Sequence, residues 1–283
     1  MMIAELKDEA TGRSVVAAIV GSCRVYEPLG SLHRSGFFKI LWNRFTPFTY
    51  DVEETYQYLC YCLGKLEIPA ELRAFTYNGE ATPTPKKDFA ELIPKVELVI
   101  AEVSSLTSMS CREFYLDHNM IGTKFIRGRG KLYLDWWRDL IAGRDVAEHV
   151  AKIIQDHAER KIQLGGWHEN ILRDARLVQY NEQTLSEPLR RLCGSFDKPW
   201  MFISHFQFSN QPEQIRPERA ALLKTLQIVA GAQGHRVFDP SPTVISNGRE
   251  TSLAGNGVDQ FHYAVEFKPI IGAAIAKAAL SDV

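Results

Sequence analysis

The sequence is short of almost every feature that would announce a specialised environment. Its five cysteines, Cys23, Cys60, Cys62, Cys111 and Cys193, are odd in number and form no C-x-x-C pair, which argues against a disulfide framework and for reduced thiols. Charge of one sign is missing too. The 33 basic residues nearly balance 34 acidic ones, for a net charge of -1, so no global field holds nucleic acid or an anionic membrane, and neither is expected as a partner. No apolar run approaches membrane-spanning length, and the opening "MMIAELKDEATGR" lacks the continuous apolar stretch of a signal peptide; a cytoplasmic location is the expectation. Internal repeats, low-complexity tracts and heptad arrays are absent. The "KFIRGRGK" stretch (Lys124, Arg127, Arg129, Lys131) lacks phosphate-loop spacing and reads as a solvated basic turn. His149 and His157 stand eight apart without companion ligands at zinc spacing, so no metal is expected.

What is present is an ordinary globular composition, 45% hydrophobic and 24% charged over 283 residues, enough for a sizeable core and read as one domain over 1–283. The run "SVVAAIV" (Ser14 to Val20) is apolar, β-branched and closed by Gly21, the pattern of a central strand covered on both faces. Further strands are expected at "LRAFTY" (Leu72 to Tyr77), "VELVIAEV" (Val96 to Val103), "WMFISHF" (Trp200 to Phe206) and "HRVFD" (His235 to Asp239). Helical patterns lie between them: "DVEETYQYLCYCLGKL", "KKDFAELIP" and "RPERAALLKTLQIVAGA", with a final helix from Tyr263 onward. Strand and helix in alternation imply a three-layer α/β sandwich around a five-stranded parallel sheet of flavodoxin-like succession. The stretch between the third and fourth strands exceeds what a crossover needs and carries "WWRDLIAGRDVAEHVAKIIQDHAERK", so a helical insertion is expected over about 106–197. The aromatic segment Gly36 to Tyr50 is expected to cap the C-terminal edge of the sheet.

In open parallel sheets ligands collect outside the carboxyl ends of the strands. The residues falling there are Gly21, Ser22 and Cys23 after the first strand, Asn78 and Gly79 after the second, Ser104 and Ser105 after the third, His205 or the polar run from Gln207 after the fourth, and Asp239 after the fifth. Asp239 precedes Pro240 and reads as a turn-former. In "GNGVDQFHYAVEF", Asp259 and His262 are three apart, a spacing that lets the carboxylate take the imidazole Nδ1–H and leaves Nε2 as a base. Trp136, Trp137 and Trp167 read as insert core rather than as a sugar platform. Cys60 and Cys62, two apart on a helix, read as packing residues.

Taken together, the "GSC" turn after the first strand, the strand succession and the C-terminal Asp-x-x-His resemble the SGNH (GDSL-type) hydrolase superfamily. "GSC" is most similar to its GSC-type branch, which includes GSCFA-like proteins and capsule-biosynthesis acyltransferases with cysteine at the nucleophile's position. The resemblance covers roughly 14–103 and 198 to the end. It implies Cys23 as nucleophile, with Ser22 as the alternative, His262 as base and Asp259 as its orienting partner. The oxyanion positions it implies are the Cys23 N–H, Gly79 and Ser104 or Ser105, with His205 as a further crevice residue. Ser22 stands where the family carries Asp, and "EVSSL" carries no Asn where the family does. The expected function is that of an esterase or acyltransferase working through an acyl-enzyme on a small-molecule or saccharide substrate. No cofactor is required, and acyl-coenzyme A is the donor in the transferase case. The competing expectation is a binding or scaffold domain that keeps the fold without the chemistry.

Overall fold

The apolar run that ends at Val20 is strand β2 (Ser14–Val20), buried from Ala17 onward. In the computed structural model, which describes residues 1–8, 11–43, 48–76, 91–209, 211 and 214–281, β2 lies inside a six-stranded mixed sheet. Counting strands in chain order as β1 (Met2–Lys7), β2, β3 (Phe38–Asn43), β4 (Leu98–Glu102), β8 (Trp200–Ile203) and β9 (Arg236–Phe238), the spatial order is β3-β1-β2-β4-β8-β9. The four strands from β2 to β9 run parallel, in registers such as Val20 opposite Ala101 and Glu102 opposite Ile203. Helices cover both faces. Alternate residues of β2 feed the two cores: Ala18 and Val20 pack with Val99, Ala101, Phe202 and Leu59 on one side. On the other, Ala17 and Ile19 pack with Ile100, Val25, Leu29 and Ile271.

The expected sheet of five parallel strands is therefore replaced by a mixed one, in which four strands pair in parallel and β1, running against them, joins β2 and β3 through antiparallel pairs. "LRAFTY" is not a strand. Residues Ala70–Thr76 form helix α3, whose N–H groups at Leu72 and Arg73 bond the Pro69 carbonyl. Leu72 and Thr76 sit four apart on its buried side, a helical spacing that the short window concealed. The place beside β2 goes to β1, which pairs with it antiparallel from Met2–Ile19 to Lys7–Ser14; Asp8 N–H bonds the Arg13 carbonyl at 2.8 Å across the turn. The aromatic segment expected to cap the sheet instead supplies β3, which pairs with β1 at the sheet edge.

Between β4 and β8 the chain builds more than helices. Strands β5 (Thr107–Cys111), β6 (Phe114–Leu116) and β7 (Ala175–Gln179) form a small antiparallel sheet. Helices Lys131–Ile141 and Gly166–Asp174 pack on it and Ala147–Glu159 packs on those two, while Ser186–Gly194 packs against the helices Val52–Cys62 and Pro217–Ala232. The long helical pattern divides near Gly143, at φ 67°. Trp136 is fully buried, while Trp137 and Trp167 pack half-buried on the same core. Among the described residues no helix is long and apolar enough to cross a membrane.

Helix α1 (Cys23–Ser31) and the last helix, Lys268–Leu280, cover the other face together. The last helix starts at Lys268 rather than at Tyr263, because Pro269 sets its first turn. Its Gly272 lies so close to α1 that a Cβ there would stand 2.3 Å from the Pro28 carbonyl oxygen. Gly272→Ala is expected to destabilise the protein by about 1–3 kcal/mol through overpacking. Gly231→Ala, in helix Pro217–Ala232 with nothing within 4 Å of the new Cβ, is expected to stabilise it by about 0.5–1 kcal/mol. Urea denaturation of the two variants checks both signs.

Candidate functional site

At the carboxyl end of β2 the chain turns through Gly21 at φ 153°. A Cβ there would sit 2.6 Å from the Cβ of Glu102, so the close approach of two strand ends requires glycine. Glu102, the last residue of β4, is fully buried. Its Oε2 accepts from the Ser22 N–H at 2.8 Å and the Ser22 hydroxyl at 2.5 Å. Its Oε1 accepts from Arg24 Nε at 2.7 Å and Nη2 at 2.5 Å. Ser22 Oγ also caps α1 by accepting from the Arg24 N–H at 3.3 Å. Burial works against the Arg24 charge, but the Glu102 carboxylate outweighs it and holds the guanidinium above its ordinary value.

From this tie Arg24 reaches two other parts of the chain. Its Nη1 meets His205 Nε2 at 3.4 Å and donates to the Phe261 carbonyl at 3.5 Å. His205 directs Nδ1 to the Phe206 carbonyl at 3.3 Å, which puts the ring proton on Nδ1 and leaves Nε2 to accept from arginine. Burial first, then the charges of Arg24 and Arg219, push His205 well below its ordinary value, so it stays neutral.

Asp259 and His262 lie in the loop before the last helix, pinned by an antiparallel bridge between Leu253 and Tyr263. Asp259 Oδ2 takes His262 Nδ1 at 2.8 Å, while Oδ1 accepts from the N–H groups of Phe261 and His262 at 2.8 and 3.2 Å. Desolvation is the largest single effect on Asp259 and raises its proton affinity, but these bonds together outweigh it and hold the carboxyl below its ordinary value. The pair is open to solvent, with side-chain exposures of 55% for His262 and 38% for Asp259. His262 forms a shared wall of two cavities. One, of about 550 Å³, is also lined by Arg24, Tyr50, Ser104, Ser105, His205 and Phe261. The other, of about 660 Å³, is lined by Glu27, Asn256 and Val265 among others.

The expected site residues are thus distributed unevenly. Cys23 opens α1 half-buried. Burial pushes its thiol up; Arg24 opposes that shift, while Glu102 and Glu27 reinforce it. Ser22, the alternative nucleophile, is fully buried with its hydroxyl given to Glu102. Ser104 and Ser105 line the cavity, but both N–H groups donate to the Tyr50 carbonyl, at 2.8 and 3.0 Å, and so do not face a ligand as oxyanion donors. Gly79 lies outside the described residues. Asp239 accepts from the Ser241 N–H at 2.9 Å as a turn-former. His149 bonds Asp139 and His157 bonds Tyr133, at 2.8 and 3.0 Å.

Sequence reasoning missed Glu102 and Arg24. The signal for both was a carboxylate ending an otherwise apolar strand and an arginine next to the turn through Gly21, Ser22 and Cys23. It also missed the carboxyl groups behind the cavity. Asp51 caps α2 (Val52–Cys62), accepting from the N–H groups of Glu53 and Glu54 at 2.8 and 2.9 Å, and Glu54 accepts from the Tyr50 N–H at 2.9 Å. Burial pushes Asp51 up to about 6 and Glu54 well above its ordinary value. Among the described residues no three metal-binding side chains come together.

Comparison with known proteins adds a family. The model described as the TviD N-terminal domain matches residues 15–278. The Vi polysaccharide biosynthesis protein TviD of Salmonella typhi is 21% identical over 280 residues, covering 97% of this chain and 32% of that protein. The chain thus spans about a third of the length of the curated relative it matches. No solved structure matches.

Glu102→Gln is expected to destabilise the fold by about 3–5 kcal/mol, because it leaves the Arg24 cation buried without its partner. Glu102→Gln combined with Arg24→Met should recover part of that loss, as read from urea midpoints. Asp51 carries a second expectation. Its folded value lies above its unfolded one, so its contribution is complete below about pH 4 and lost as pH rises through about 6. Asp51→Asn keeps a capping oxygen and removes the titration. Between those pH values, wild type should lose stability relative to the variant by roughly 2–3 kcal/mol, measured as the difference between their denaturation midpoints.

Proposed function

The chain belongs to the TviD N-terminal domain family, and on that premise we propose that it is an SGNH-like acyl-transferring enzyme of polysaccharide biosynthesis, with a saccharide as acceptor. The observation that carries this reading is the Asp259–His262 pair, held at 2.8 Å with Nε2 left unoccupied by Asp259. It lies in the loop that Arg24, the residue after Cys23, grips through the Phe261 carbonyl.

The chemistry follows from these groups. Cys23 is a thiol at rest, since burial raises its proton affinity, so His262 must act as a general base rather than as the partner of a preformed thiolate. As sulfur attacks the acyl carbon, its proton passes to His262 Nε2, and Asp259 stabilises the imidazolium through Nδ1–H. The proton then goes to the departing group and leaves a thioester on Cys23. A saccharide hydroxyl gives its proton to Nε2, attacks the thioester and releases the thiol; water in its place gives ester hydrolysis. With the Ser104 and Ser105 N–H groups committed to Tyr50, the oxyanion is assigned to the Cys23 N–H in the first turn of α1. An acyl-coenzyme A or another activated acyl ester supplies the acyl group.

A binding module without chemistry is the second reading, favoured by the elevated thiol. Intact-mass analysis with p-nitrophenyl acetate and acetyl-coenzyme A decides between them. Wild type is expected to gain one acetyl group, Cys23→Ala none, and His262→Ala to acquire it about 10²–10⁴ times more slowly. Equal labelling of wild type and Cys23→Ala, or none in any protein, overturns the enzyme reading.

A further inference from the structure

Phe261 stands out among the exposed apolar side chains because so much of the protein holds it still. The residue is 56% exposed and lines the same cavity as Arg24, His205 and His262. Its N–H is bonded to Asp259 and its carbonyl to Arg24. Behind the ring lies Arg219, a buried arginine whose guanidinium sits 5.5 Å from the Phe261 centroid and equally 5.5 Å from that of Phe206. Both arms of Arg219 bond carbonyls, of Phe206 at 3.0 Å and of Gln260 at 2.9 Å, so this buried cation fixes the rim through backbone groups. The His205 ring meets Phe261 edge-on at 6.3 Å.

A scattered exposed phenylalanine needs no explanation. One clamped through its backbone and over a buried cation, with its remaining surface on a cavity next to the candidate base, is a preorganised contact surface. We infer that Phe261 is the stacking platform of the acceptor subsite, taking the C–H face of a pyranose ring in the cavity it shares with His262. A sugar there has its apolar face on the ring and its hydroxyls toward the polar wall, where Asn119 and the Ser104 side chain lie. Because Phe261 and His262 line the same cavity, a sugar stacked on the one has its hydroxyls in the space that the imidazole of the other borders. The tryptophans of the insert do not serve this purpose, since they belong to its core.

The inference deepens the acyl-transfer reading by naming the acceptor's contact, yet its test does not depend on acyl chemistry. In the full chain carrying Cys23→Ala, saturation-transfer NMR is run with methyl hexosides and methyl N-acetylhexosaminides as probes, and apparent Kd is taken from titration. Signal is expected on the ring C–H protons of at least one probe. Phe261→Ala should weaken that probe at least tenfold, Phe261→Trp should retain it, and Phe261→Leu should remain weak, because an aromatic face and not mere apolar bulk is required. Circular dichroism and melting curves confirm that each variant is folded. Binding by Phe261→Leu as tight as the parent's, unchanged binding by Phe261→Ala, or no bound probe in the parent overturns the platform. Loss of binding in Phe261→Ala beside absent acetylation of Cys23 in wild type would retain the platform and discard the acyl-enzyme.

Discussion

One buried carboxylate organises the rim of this sheet. Removing Glu102 from water carries a desolvation penalty of several kcal/mol, and it is offset because both oxygens are fully used. Ser22 supplies a backbone and a hydroxyl hydrogen, and Arg24 supplies two arms of its guanidinium. The arrangement is reciprocal. The carboxylate has its partners only if the chain turns sharply after β2, and the turn passes so close to Glu102 that residue 21 has no room for a side chain. The ends of β2 and β4 and the first turn of α1 are therefore one unit, whose polar groups are satisfied together or not at all.

Arg24 extends that unit to the rest of the molecule. Through His205 it meets the chain just after β8, and through the Phe261 carbonyl it meets the loop near the last helix. Two histidines thus border one cavity in different settings. His205 is buried between arginines and kept neutral, its ring used as a fixed acceptor. His262 is exposed, and a carboxylate orients its Nδ1. The residue type is the same; burial and neighbouring charge separate the roles. Cys23 shows the same competition, in which burial outweighs the pull of the adjacent arginine and favours the thiol.

Much of this was legible in the chain itself. Continuous apolar runs such as "SVVAAIV" can be stable only between two covering layers, and both they and the helix following Asp51 stand where the pattern puts them. The Asp259–His262 contact was legible as well, because a three-residue spacing on a turn brings those side chains together locally. Failures came where a short window fits two periods. Leu72 to Tyr77 carries aromatic and apolar residues suited to a strand, yet the preceding Pro69 and the four-residue spacing of Leu72 and Thr76 make it helical. Strand β1 was hidden by its charged ends, Glu5 and Lys7, which neighbour the apolar residues that the sheet buries.

The sequence by itself determined the α/β class, the glycine turn after the central strand and the local carboxylate–imidazole pair, since each rests on neighbours within a few residues. Only the tertiary structure decided that Ser22 is a cap and ligand of Glu102 rather than a free hydroxyl, that the serines after β4 spend their N–H groups on Tyr50, and that Arg24 joins the tail loop to the sheet. Those outcomes depend on partners 54 to 237 positions away. A buried polar group takes whichever partner the packed core brings within reach, and no local pattern encodes that choice.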